Sequence, residues 1–181
     1  MRRKSNGYYT TQLCEIEFPA HNNEKEGDYN KRFAQSIDPY MNMDCKVVSP
    51  RSDRSTIELC DTLTDKKELI HIKRGESSAL LSHLFNQGLV SAELIKGDSQ
   101  FCKKANAKIT EMFKEQHLKG RLQDYLLESG DKLTIVYAII KSGDEKHPPI
   151  PLFGKIAFSN VKKQLGLMGC QVKIKHIKSL N

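Results

Sequence analysis

The sequence contains no tryptophan, no Asp or Glu beyond Glu145, and no apolar run near the length of a membrane-spanning helix. Such a helix needs roughly 20 consecutive apolar residues, so we expect no membrane association. The start, MRRKSNGYYTTQLCEIEF, is basic but has neither an apolar core nor a small-residue cleavage site, which argues against a secretory signal. A cytoplasmic protein is therefore expected.

Cysteine is sparse and scattered along the chain. The five cysteines form no CxxC pair: Cys14, Cys45, Cys60, Cys102 and Cys170. This odd, dispersed set argues against a disulfide framework or a structural zinc site, and favours the reduced thiols of a cytosol.

The motifs of several enzyme classes are missing. The sequence has no GxSxG elbow, no HExxH pair and no glycine-rich phosphate loop of either the Walker or the dinucleotide-binding type. These absences disfavour an elbow-type serine hydrolase, a zinc protease, a kinase and a dehydrogenase.

The excess positive charge lies at the carboxyl end of the chain. The formal net charge is +7, and the residues from Lys146 onward include seven lysines and no acid. The first 145 residues are balanced, with 22 basic and 22 acidic groups. Two interpretations stay open: a surface that binds phosphates, or a lysine face that only increases solubility.

The hydrophobic pattern predicts an α/β protein with a central mixed sheet flanked by helices. We expect one domain over residues 1–181, with an N-terminal strand and loop in 1–25 and a core with a basic C-terminal segment in 26–181. Predicted helices cover 24–38, 75–88, 99–116, 121–128 and 159–169, and predicted strands cover 9–18, 43–49, 55–63, 68–74, 132–141 and 171–178. Residues 50–55 and 144–151 are predicted loops.

The stretch IELCDTLTDKKELIHIKRG, residues 57–75, predicts a β-hairpin with a polar cluster. If residues 65–67 form the loop, Asp61 lies opposite His71. Because opposed side chains share a face, Asp61, His71 and Lys73 would then meet where the strands face water. A slip of one residue would destroy this arrangement.

This cluster has a specific chemical use. A carboxylate such as Asp61 can hold Mg²⁺, which prefers oxygen ligands, while Lys73 can stabilise charge on a phosphate. Asp44 on the neighbouring strand is a spare ligand, whereas Glu58 is expected to face solvent. The alternative is structural: charged side chains on an edge hairpin limit aggregation and need no further role.

The pattern of Asp61, nine intervening residues and then HIK resembles the PD-(D/E)XK nucleases and so implies a restriction-endonuclease-like fold. In that family a helix carries an acid, a strand follows, the next two strands carry Asp and (E/D)xK, and a helix packs after them. The resemblance implies catalytic roles for Glu26, Asp61, His71 and Lys73, with Mg²⁺ (or Mn²⁺) held by Asp61 and Glu26. His71 replaces the usual glutamate, a departure that weakens the expected metal site.

The stretches EGDYN, IELCD, ELIHIKRGESSALLSHLFNQG and LVSAELI are also similar to a sporadically distributed bacterial family of uncharacterised function. This resemblance covers roughly residues 26–180. It implies an association with mobile elements or phage defence, and members that are longer than this chain. Either a truncated relative or a stand-alone domain is therefore expected.

Together these features predict a Mg²⁺-dependent nuclease that acts on DNA, with a homodimer left open. Residues expected to contact nucleic acid are Arg74, Gln87, Lys162, Lys163, Lys173 and Lys175. Two alternatives remain: an inactive nucleic-acid-binding domain of the same fold, and a protein-interaction component of a defence or toxin complex.

Overall fold

The computed structural model describes residues 12–50, 56–143 and 150–180, with Gln12 and Leu13 described by their backbone alone. The described strands are β1 (Gln12–Leu13), β2 (Met41–Asn42), β3 (Val47–Val48), β4 (Ile57–Glu58), β5 (Thr62–Leu63), β6 (Glu68–Arg74), β7 (Thr134–Ser142) and β8 (Gln171–Ser179). The helices are α1 (Glu26–Ser36), α2 (Ser78–Gly97), α3 (Ser99–Glu115) and α4 (Leu152–Leu167), with a 3₁₀ turn at Leu122–Asp124.

Six of the described strands form one mixed sheet in the order β1-β8-β7-β6-β5-β2. Strands β6, β7, β8 and β1 run parallel to one another, whereas β5 pairs antiparallel with β6 and β2 pairs antiparallel with β5. Strand β7, the most apolar segment of the chain, occupies the interior and is buried from Thr134 to Ile140, as expected of a strand covered on both faces. The predicted α/β class with a central mixed sheet is confirmed.

Helices cover the two faces of this sheet unequally. The buried side of α1, including Tyr29 and Phe33, packs on the face formed by Ile70, Ile72 and their neighbours. The opposite face packs against α2, α3 and α4 and contains the larger part of the core. The four-residue spacing that predicted the inner side of α1 is confirmed, since Tyr29 and Phe33 are fully buried.

Helix α2 does not end at Gly88, contrary to the prediction. It begins after Ser77, whose side chain accepts a hydrogen bond from the Leu80 amide at 3.2 Å, and continues to Gly97. At Gly88 a Cβ would lie 2.5 Å from the Tyr137 hydroxyl. This glycine therefore allows close packing of the helix on β7 rather than terminating it.

The predicted strand 55–63 is split because the chain changes partners. β4 pairs with β3 in a separate two-stranded sheet, whereas β5 pairs with β6. The predicted hairpin register is confirmed, with Thr62 opposite Ile70. Likewise only part of the predicted strand 43–49 is extended, so that Asp44 and Cys45 lie in a turn.

The remaining predicted elements differ mainly in length. α3 matches its prediction closely, α4 begins earlier than residue 159, and only a 3₁₀ turn forms within 121–128. Of the predicted strand 9–18, residues 9–11 lie outside the described part, as do 51–55 and 144–149 of the two predicted loops. No helix among the described residues is long and apolar enough to cross a membrane.

Candidate functional site

Four carboxylates from separate elements approach one another at the start of α1. Glu26 lies in the first turn of α1, Asp44 in the turn after β2, Glu58 in β4, and Asp61 in the bend before β5. We call these four residues the acidic cluster. Gly27 lets the helix approach closely, since a Cβ there would lie 3.0 Å from Asp44 Oδ2.

Glu26 joins the cluster to Lys73. Lys73 Nζ lies 2.7 Å from Glu26 Oε1, and the Arg74 amide donates to Glu26 Oε2 at 3.3 Å. Burial disfavours the charged ammonium, but the hydrogen bond and negative charge of Glu26 outweigh this effect and raise the pKa of Lys73. Lys73 therefore remains protonated at neutral pH, with both of the Glu26 oxygens engaged.

Asp61 interrupts the strand with its own side chain. Its amide donates to Ile70 O at 2.9 Å, while its Oδ2 accepts from the Ile72 amide at 2.6 Å. The carboxylate thus satisfies an N–H group that a continuous ladder would pair with a backbone carbonyl. Burial raises the pKa of Asp61 well above its usual value, and the nearby charges of Glu58, Asp44 and Glu26 raise it further.

Asn30 lies between two of these acids and was not identified from the sequence. Its Nδ2 donates to Asp44 Oδ1 at 3.1 Å and to Asp61 Oδ1 at 3.0 Å. The residue is 0% exposed, and its Oδ1 has no hydrogen-bond partner among the described residues. The available signal was its position four residues after Glu26, which places both side chains on one side of α1.

Asp44 and Glu58 meet near Cys45. One ligand atom from each of the three residues lies within 4.8 Å of the other two. The Cys45 amide also donates to Glu58 Oε1. Burial is the main cause that raises the pKa of Glu58, and Asp44 adds to it. Glu58 was expected to face solvent; the structure instead half-buries it within the acidic cluster.

His71 does not face water beside Asp61 and Lys73, which corrects the predicted placement. It is 2% exposed, and its ring lies 6.1 Å from that of Tyr137, measured between centroids. The reason is that β6 is an interior strand, between β5 and β7, rather than one edge of an isolated hairpin. Burial lowers the pKa of His71 to about 4, so the ring is neutral at pH 7.

The residues predicted to contact nucleic acid are dispersed. Arg74 donates to Glu24 O at 3.0 Å, and Lys173 Nζ lies 3.0 Å from Glu68 Oε1. Lys175 is half-buried on β8, while Lys162 and Lys163 lie on α4, across the sheet from α1. Gln87 lines a groove of about 390 Å³ together with Glu58 of the acidic cluster.

The donor set fits a hard divalent cation. Carboxylate oxygens predominate, which suits Mg²⁺ or Mn²⁺. Asp44 raises the pKa of the neighbouring Cys45 thiol, so this sulfur stays protonated and is a poor ligand for a soft metal. A cation would also offset the mutual repulsion of the carboxylates.

Comparisons with known proteins place the chain in a family without assigning it an activity. No curated protein and no solved structure matches it. The model of a family of unknown function (DUF6119) matches residues 3–178, a range that includes all the stretches on which the predicted family resemblance depends. The chain therefore belongs to this family of unknown function, DUF6119.

Proposed function

We propose that the protein is a metal-dependent nuclease that hydrolyses DNA phosphodiester bonds on a restriction-endonuclease-like core. The observation that carries this proposal is the convergence of Glu26, Asp61 and Lys73. A 2.7 Å ion pair joins Lys73 to Glu26, and Asp61 Oδ2 accepts a hydrogen bond at 2.6 Å from the amide of Ile72, the residue before Lys73. An acid from a helix, an acid before one strand and a lysine on the next therefore share one site.

The order of the elements supports the same proposal. Helix α1 bears Glu26, strands β2, β3 and β4 follow it, Asp61 lies just before β5, its antiparallel partner β6 bears Lys73, and α2 packs after them. Apart from the small sheet of β3 and β4, this is the order that the resemblance to PD-(D/E)XK nucleases implies. His71 is the exception, because a buried neutral ring stands where that pattern has an acid.

Asp61, Lys73 and Glu26 would have different roles in the proposed reaction. Asp61, held in place by the Ile72 amide, would bind the cation, which when bound would polarise a phosphoryl oxygen. Lys73, protonated and oriented by Glu26, would stabilise negative charge that develops on the phosphate. We assign Glu26 to positioning Lys73, because both of its oxygens already accept hydrogen bonds.

Cleavage of supercoiled plasmid in the presence of Mg²⁺ or Mn²⁺ tests this function. Asp61→Asn and Lys73→Met should each lower the cleavage rate at least about 100-fold, the scale seen when a group that stabilises transition-state charge is removed. Glu93→Gln and Lys103→Met, at exposed positions on α2 and α3, are the matched controls and should cleave like the wild type.

Failure of the folded wild type to cleave DNA or RNA with either cation would contradict the proposal. The second candidate, an inactive nucleic-acid-binding domain, is favoured by the absence of an acid at position 71. It predicts salt-sensitive DNA binding without cleavage.

A further inference from the structure

We propose that Asp44, Glu58 and Asp61 form a divalent-cation site completed by the Asn30 side-chain amide, in which Glu58 supplies the carboxylate that position 71 lacks. This inference deepens the proposed function, since it names the side chains that would hold its cation. It draws on α1 and the turn after β2, which lie outside the predicted hairpin, and on Glu58 in β4, which was expected to face solvent.

The positions of the oxygens support a shared cation. Asn30 Nδ2 contacts Asp44 Oδ1 at 3.1 Å and Asp61 Oδ1 at 3.0 Å, so one point lies within hydrogen-bond distance of both carboxylates. Asp44 and Glu58 offer ligand atoms within 4.8 Å of each other. Oxygens that bind one Mg²⁺ or Ca²⁺ can be at most about 4 to 5 Å apart, given metal–oxygen distances of about 2.1 to 2.5 Å.

Asn30 provides an independent indication of a ligand. Its Oδ1 is buried and has no partner among the described residues, an unfavourable arrangement for a polar atom. Rotation of the amide by half a turn exchanges Oδ1 with Nδ2 and directs an oxygen between Asp44 and Asp61. A cation would then receive a neutral oxygen ligand from a group that, without the ion, donates to both acids.

Other nearby groups are less suitable as ligands. His71 packs against Tyr137 in the core, and Glu26 already accepts from Lys73 and from the Arg74 amide. Glu58 is better placed, because the Cys45 amide binds its Oε1 and leaves Oε2 for an ion. A cation between Asp44 and Glu58, whose carboxylate oxygens lie within 4.8 Å of each other, would offset their mutual repulsion.

Mn²⁺ binding to the full chain tests the site without any catalytic readout. Isothermal titration calorimetry and electron paramagnetic resonance of free Mn²⁺ would measure affinity for wild type, Glu58→Gln, Asp44→Asn and Asn30→Leu. We expect each variant to bind Mn²⁺ at least about 10-fold more weakly, because Glu58→Gln and Asp44→Asn each lose a negative charge at the ion and Asn30→Leu loses an oxygen ligand. Glu93→Gln, at an exposed position on α2, is the matched control and should bind like the wild type.

Thermal denaturation separates loss of the site from misfolding. Without cation, Glu58→Gln should melt at or above the wild-type temperature, because it relieves repulsion while keeping an oxygen for the Cys45 amide. With excess Mn²⁺ the wild type should gain several degrees and Glu58→Gln should gain little. Equal Mn²⁺ affinity in wild type and Glu58→Gln, or no binding by the wild type, would overturn the inference.

The outcomes also distinguish this inference from the proposed function. If Mn²⁺ binds as expected but no nucleic acid is cleaved, the cation site stands and the nuclease proposal fails. If wild type and Glu58→Gln cleave DNA equally at limiting Mn²⁺, the nuclease proposal stands and the ligand assignment fails.

Discussion

At the scale of single residues, Asp61 and His71 have different environments, although the hairpin pattern predicted them opposite each other. The strand pairing begins with Thr62 opposite Ile70, and the Asp61 amide also donates to Ile70 O, so Asp61 lies outside the paired register. Asp61 turns its carboxylate onto the Ile72 amide, in a bend, whereas His71 packs beside Tyr137 under α2. The two residues therefore differ in chemistry: Asp61 is a carboxyl group surrounded by other acidic side chains, whereas His71 is a neutral ring in the core.

The burial of His71 predicts a pH dependence of stability. In the unfolded chain a histidine has a pKa of about 6.5, whereas in the fold the pKa of His71 is lowered to about 4. Between these values the unfolded state binds the additional proton, so this contribution is complete above about pH 6.5 and is lost as the pH falls toward 4. The loss should reach about 2–3 kcal/mol at the acidic end.

The variant His71→Phe should show a smaller loss of unfolding free energy between pH 7 and pH 4.5 than the wild type. Urea denaturation in the presence of a chelator would measure it, with His83→Phe, at an exposed position on α2, as the control. Parallel pH profiles for wild type and His71→Phe would contradict the assignment of a buried neutral ring.

At the scale of elements, local pattern predicted helices and strands well where packing did not intervene. α3 follows its apolar spacing, with Phe101, Ala105 and Ile109 buried, and β7 follows from a continuous apolar run. In α2, by contrast, Gly88 was interpreted as a stop signal, although it is an interior residue beneath Tyr137. A glycine can either end a helix or allow close packing within it, and the sequence does not distinguish these two roles.

Two glycines of α2 provide a test of this interpretation. Gly88→Ala should destabilise the fold by about 1–3 kcal/mol, because the new Cβ would lie 2.5 Å from the Tyr137 hydroxyl and 2.8 Å from Ile135. Gly97→Ala meets no atom within 4 Å and should be neutral or stabilising by up to about 1 kcal/mol.

Urea denaturation followed by circular dichroism would compare the two variants with the wild type. Equal unfolding free energies for Gly88→Ala and Gly97→Ala would show that α2 can move away from β7 without cost, contrary to the close packing described above.

At the scale of the whole molecule, the C-terminal lysines do not form one surface with the acidic cluster. Lys173 is paired with Glu68 on the α1 side of the sheet, whereas Lys163 is exposed on α4 on the other side. Six of the seven C-terminal lysines lie on α4 and β8, and Lys146 lies outside the described residues. We therefore expect long-range attraction of a polyanion rather than a single binding patch.

This charge distribution predicts salt-dependent binding to DNA. The association constant should fall steeply with salt concentration, and Lys163→Gln should reduce the slope of its logarithm against the logarithm of salt by about one if that lysine contacts a phosphate. Lys103→Gln, an exposed lysine on α3, is the matched control. Fluorescence anisotropy with a labelled duplex would measure both slopes.

Binding that is absent at low salt, or insensitive to salt, would remove the nucleic-acid interpretation and leave the lysines with a role in solubility. Equal slopes for Lys163→Gln and Lys103→Gln would exclude α4 as the contact surface while leaving DNA binding itself in place.

The sequence by itself determined the elements that depend on neighbours along the chain: α3, β7, β8 and the pairing of Thr62 with Ile70. The spacing of apolar residues, helix capping and turn length each depend on a few neighbouring residues, so they can be predicted from the sequence. Only the tertiary structure decided that Asn30, Asp44 and Glu58 lie close together and that His71 is buried. Both features depend on which elements pack on each side of the sheet, and the local spacing of residues carries no information about this packing.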